Sequence, residues 1–240
     1  PSLMTTNAAK YRLAVGFDKG LIEFGLRRAQ GPDGGISASR YSYMGGFDGT
    51  SNVLAGYLFG VPIGGTHAHS YVQSFTGVED LKDHTLTAAD GEVHDFVKMV
   101  LEIRAALGFN YTNEGELASF IAYAQAFPKG FLALVDTYDT LKSGVPNFVC
   151  VALALLKLGY RPIGVRLDSG DLSYLSKGTR ELFDEIGART DSNLSKCRIL
   201  ASNEINRSVL NSLNHQGHGI DTFGIGTHLV TCDDQPAMGC

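Results

Sequence analysis

Short apolar runs at 130–135, 162–167, 198–201 and 220–225 alternate with longer stretches of helical periodicity, at 8–30, 92–106, 114–127, 147–158, 175–187 and 204–214. No other feature of the sequence restricts the fold as much. Strands separated by a helix-length connection cannot form hairpins, so they must lie parallel with the helices as crossovers. Each run also ends in a polar or glycine cluster: "VDTYDT", "RLDSGD", "SNEIN" and "GIGTH". An open doubly wound sheet uses only the strand ends near its crevice, whereas a barrel places functional groups at every carboxyl end. The expected fold is therefore α/β, an incomplete or irregular (β/α) barrel of the TIM-barrel kind, with parallel strands and crossover helices. A single domain is expected over 1–240.

The bulk properties fit that expectation. The 240 residues are 44% hydrophobic and 19% charged, enough to bury a sizeable core. A net charge of −5 with no cluster of Lys and Arg argues against a nucleic-acid partner and leaves small-molecule chemistry as the default. The sequence has no run of about 18 apolar residues, and "PSLMTTNAAKYR" lacks the layout of a signal peptide, so a cytoplasmic protein with no membrane partner is expected. Cys150, Cys197, Cys232 and Cys240 form no C-x-x-C pair and are expected as free thiols. The closing "QPAMGC" reads as the approach to a further strand, which suggests a fragment truncated at both ends.

The strand ends carry the candidate chemistry. Asp136 follows an apolar strand and should emerge at its mouth, while Asp139 suits a helix N-cap. In "VRLDSGDL", Arg166 and Asp168 share one strand parity and can point to one side. They form either a ligand-directed pair or a plain ion pair beside a capping Asp171. Gly224, Gly226 and Thr227 could bring backbone N–H groups close to an anion. No P-loop and no G-x-G-x-x-G occurs. "GTHAHS" sets His67 and His69 two positions apart, which suits a divalent metal claw, a reactive histidine, or imidazoles in a wall. The metal claw lacks further histidines at later strand ends, where Asp136, Asp168, Asn203 and Gly226 stand instead.

Taken together, "GLRRAQGPDGG", "YSYMGGFDGTSNVLAG", "GTHAHS", "VDTYDT", "VRLDSGDL" and "FGIGTHLVT" resemble the nicotinate phosphoribosyltransferases, of the type II phosphoribosyltransferase family, in order and spacing from about Tyr11 onward. The resemblance implies transfer of the phosphoribosyl group of phosphoribosyl pyrophosphate (PRPP) to nicotinate, coupled to ATP hydrolysis, with Mg²⁺ on the pyrophosphate and a homodimer whose partner completes the site. It implies that His69 is phosphorylated by ATP and that His67 has no catalytic role. Arg27 and Arg166 would hold the nicotinate carboxylate, and Phe24, three residues before Arg27 on one helix face, would stack on the pyridine. Asp136 and Asp168 would serve the ribose and the magnesium-bound pyrophosphate. Gly224, Gly226 and Thr227, with Ser202 and Asn203 beside them, would cradle the 5′-phosphate. Ser51 stands where the related nicotinamide enzyme places an aspartate, which favours the acid over the amide. Two alternatives remain open: a metal-dependent barrel hydrolase using His67 and His69, and a catalytically silent or weakly active fragment that works by association.

Overall fold

The computed structural model describes residues 1–232; the expected strand approach in "QPAMGC" and Cys240 lie outside the described residues. In chain order the elements are α1 Ser2–Val15, β1 Gly20–Glu23, α2 Gly31–Met44, β2 Gly49–Thr50, α3 Val53–Phe59, α4 His69–Val72, β3 Thr85–Thr87, β4 Val93–Asp95, α5 Phe96–Leu107, α6 Glu114–Ala126, β5 Leu132–Leu134, α7 Val145–Lys157, β6 Gly164–Leu167, α8 Leu172–Arg189, β7 Arg198–Ala201, α9 Arg207–Gln216, β8 Thr222–Ile225 and α10 Thr227–Val230. Their contacts divide the chain into two units, one formed by Pro1–Gly65 with the segment from Leu200 onward, the other by Thr66–Ile199.

In the first unit β1 pairs in parallel with β2 and with β8, and β8 pairs with the end of β7. Helix α1 packs on α2 and α9. Arg12, buried on α1, ties the connection into β1 by donating to the carbonyls of Gly16, Lys19 and Gly46 and by pairing with Asp48 at 2.7 Å. In the second unit β5 pairs in parallel with β6. Its core centres on α7, whose residues from Val145 to Leu155 are all buried, and on a run of rings in which Phe148 stacks on Phe131 and tilts against Phe183. The stretch Thr140–Lys157 is long and apolar enough by composition to cross a membrane, but 78% of it is buried inside the protein, as in a core helix.

The α/β class with parallel strands and helical crossovers is what the periodicity implies. Six strands take part in parallel pairs among the described residues, however, so the closed eight-stranded TIM barrel is not formed there. The four expected strands are present as β5 to β8. The expected helix at 8–30 is not one helix: Gly16, at φ 89°, ends α1, and Gly20–Glu23 alternates half-buried and buried residues as a strand must. Arg27 consequently lies in a single 3₁₀ turn, Leu26–Arg28, with Phe24 ahead of that turn, so the two do not share a helix face. Strand β4, paired antiparallel with β3, occupies the start of the stretch read as helix at 92–106.

Candidate active site

In the second unit the end of β5 delivers Asp136. Leu132 to Val135 are buried, so the first acidic residue after them is held at the strand mouth with its side chain only 1% exposed. A carboxylate so placed must be satisfied. One oxygen accepts the Asp168 N–H at 2.8 Å and the Ser169 hydroxyl at 2.6 Å, and the other lies 3.2 Å from His69 Nε2. One strand end thereby clamps the turn after the next strand, β6, and orients an imidazole from α4. Arg166, on β6, donates through Nη2 to Asp168 Oδ1 at 2.8 Å, in keeping with their shared parity. Both side chains are partly open, 18% and 22% exposed.

His69 begins α4 with its side chain 41% exposed. A carboxylate at Nε2 favours the tautomer that carries the proton there, which leaves the Nδ1 lone pair available as a nucleophile. His67 is placed differently. Its ring lies 4.9 Å from Tyr123, 5.3 Å from Tyr71 and 5.9 Å from Phe120, and its Nε2 accepts the Leu134 N–H at 3.2 Å. Burial, and then the Arg166 charge, push its pKa down to about 4, so it stays neutral as part of the wall. The pair does not offer two imidazoles to one ion, and no cluster of three or more His, Cys, Asp or Glu gathers among the described residues. Asp139 and Asp171 cap helices, accepting from Lys142 N–H and Tyr174 N–H.

The first unit gathers the other candidates. Phe24 donates its N–H to Ile225 and lays its ring over Gly224, where a Cβ would come within 2.4 Å of the ring, with Ser202 alongside. Gly226 lies against the Phe24 carbonyl and precedes Thr227, the first residue of α10. Thus Phe24, Ser202, Gly224, Gly226 and Thr227 share one locality, with half-buried Asn203 next to Ser202 in the chain. Arg27 is exposed. Ser51 donates its N–H and its hydroxyl to the Glu23 carbonyl. Two residues escaped the sequence reading: Ser169, which reads as a turn residue, and Glu23, whose only signal was a lone acid in the run "GLIEFG".

Magnesium in such a site is held by one or two carboxylates and by substrate phosphates. The Asp136 oxygens are taken up by His69 and the Asp168–Ser169 turn, while Asp168, paired with Arg166, keeps its side chain 22% exposed.

Fold and site together define an α/β protein of the parallel-strand class whose polar and charged groups gather at the carboxyl ends of its strands. No protein-family model matches the chain. Over all 240 residues it is 58% identical to the nicotinate phosphoribosyltransferase of Dictyostelium discoideum, covering 41% of that protein, and it is 52% identical over its whole length to nicotinate phosphoribosyltransferase 2 of Arabidopsis thaliana, covering 45%. The crystal structure of human nicotinic acid phosphoribosyltransferase superposes with a TM-score of 0.85 at 48% identity, covering 94% of this chain and 47% of that one. The chain is homologous along its entire length to the nicotinate phosphoribosyltransferases, and it spans less than half the length of these relatives.

Proposed function

We propose that the chain carries catalytic residues of a nicotinate phosphoribosyltransferase that forms nicotinate mononucleotide and pyrophosphate from nicotinate and PRPP with hydrolysis of ATP, acting in the cytoplasm as a dimer. The observation that carries this reading is the His69–Asp136 pair in a chain with such relatives: an accessible imidazole whose Nε2 faces a buried carboxylate. His69 Nδ1 attacks the γ-phosphorus of ATP, a P–N bond forms as the β–γ phosphoanhydride breaks, and ADP leaves. Asp136 is the positioning residue and stabilises the imidazole as positive charge builds on it.

In the transfer step the ribose gains positive charge and the pyrophosphate negative charge, so a carboxylate serves the first, and Mg²⁺ bound with the substrate would offset the second. Asp168 is the group suited to meet them. Arg166 and Arg27 each offer a guanidinium fork, the donor that matches the nicotinate carboxylate. Phe24 supplies an aromatic face for the pyridine ring. Ser202, Asn203, Gly224, Gly226 and Thr227 receive the 5′-phosphate. Ser51 brings no charge that would repel the acid.

The test is incubation with γ-labelled ATP. Label should enter the wild-type protein at His69 and be absent from His69→Ala; label that persists in His69→Ala would reject the assignment.

A further inference from the structure

Glu23 is 1% exposed, the last residue of β1, and it supports no part of the chemistry described above. Its environment is nonetheless organised around two segments of the candidate site. One carboxylate oxygen accepts the Gly25 N–H, and the other accepts the hydroxyls of Ser39 at 2.8 Å and Thr50 at 2.6 Å. The Glu23 carbonyl accepts both the N–H of Ser51, at 2.9 Å, and its hydroxyl, at 3.3 Å. Ser39 also receives the Asn52 side-chain amide at 3.2 Å. Burial of a carboxylate in an apolar strand is costly, and three donors satisfying it within one small cluster make it a fixed joint. The joint links the Phe24–Arg28 turn to the Thr50–Asn52 turn, the segments that carry Phe24, Arg27 and Ser51.

The geometry points to Glu23 as a positioning residue for recognition of the nicotinate carboxylate, acting through the Gly25 amide on one side and the Thr50–Ser51 turn on the other. This rests on the nicotinate reading above. Glu23 touches no substrate. It sets the distance between the arginine-bearing turn and Ser51, so its loss loosens the carboxylate end of the pocket first; its carboxylate bonds Gly25, Ser39 and Thr50 and none of Ser202, Asn203, Thr227 or His69. Ser39 sits on α2 and reaches those segments through Glu23, through the Asn52 amide and through the Thr50 hydroxyl, which donates to it at 3.2 Å.

The experiment compares Glu23→Gln, which keeps the volume but places an amide NH₂ against a donor set, with Ser39→Ala, which removes one donor from the far side of the joint. Steady-state KM is measured for nicotinate and for PRPP, together with selectivity for nicotinate over nicotinamide, the thermal midpoint and His69 labelling by ATP. Expected are a KM for nicotinate raised about fivefold or more in Glu23→Gln and in the same direction in Ser39→Ala, selectivity lowered by a similar factor, and KM for PRPP and His69 labelling within about twofold of wild type. Folded variants with unchanged nicotinate KM, or with nicotinate and PRPP KM rising together, would overturn the inference while leaving the activity standing. A wild-type protein that forms no nicotinate mononucleotide would overturn the activity and this inference with it.

Discussion

Replacing Asp136 by Asn preserves volume and exposes what the carboxylate does. The Asp168 N–H and the Ser169 hydroxyl both donate to one oxygen, so the amide carbonyl must take that place and its NH₂ must face His69 Nε2. The imidazole then has to accept at Nε2 and carry its proton on Nδ1, the nitrogen assigned to attack. Labelling of Asp136→Asn by ATP is expected to fall at least about a hundredfold with the protein still folded, as loss of the correct tautomer does in other histidine–carboxylate pairs. Labelling near the wild-type rate would remove the tautomer argument. Ser51→Asp adds a negative charge near the expected carboxylate position and should cut kcat/KM for nicotinate at least about tenfold, a repulsion on the order of 1 kcal/mol or more; an unchanged value would detach Ser51 from acid recognition. Asp136, Arg166, Asp168 and His69 were legible in the sequence because each stands in a polar cluster beside an apolar run. Glu23 and Ser169 were not: their roles come from donors and acceptors that tertiary structure brings to them, and spacing along the chain carries no trace of that.

At the level of the element, the stretch between β5 and α7 depends on close packing. A π-helix at Thr140–Gly144 precedes α7, and a Cβ at Gly144 would lie 1.8 Å from the Val135 carbonyl, next to Asp136. Gly144→Ala must therefore displace the strand mouth, and a loss of about 3 kcal/mol or more in stability is expected from denaturant unfolding, together with loss of labelling. Glu116, buried at the start of α6, accepts from Ser143 at 2.6 Å and Asn147 at 3.0 Å. Burial raises its pKa from 4.5 to about 7, against the opposing pull of those two hydrogen bonds. Because the folded state holds this proton more tightly than the unfolded chain, Glu116 favours folding fully below pH 4.5, and that contribution is lost as pH rises toward 7. Its size is on the order of 3 kcal/mol. Glu116→Gln should flatten the stability profile between pH 4.5 and 7; a slope equal to wild type would contradict the assignment. Boundaries of α5 to α9 were readable to within a few residues because the periodicity is strong. β1 was lost inside an expected helix because four residues of alternation are too few to register beside the fourteen of α1.

For the whole molecule, alternation of strands and helices indicated the α/β class but not the number of parallel strands, since β1 and β2 are short and set by pairing rather than composition. Motif order carried the function further than any one motif, and relatives at 58% and 52% identity over the full chain are named for that chemistry. The most direct measurement is the conversion of labelled nicotinate with PRPP, with and without ATP, in wild type and His69→Ala. The account predicts nicotinate mononucleotide from the wild-type protein, a marked increase on adding ATP, and loss of that increase in His69→Ala. Absence of product with all three substrates present, or an ATP effect that survives in His69→Ala, would contradict it.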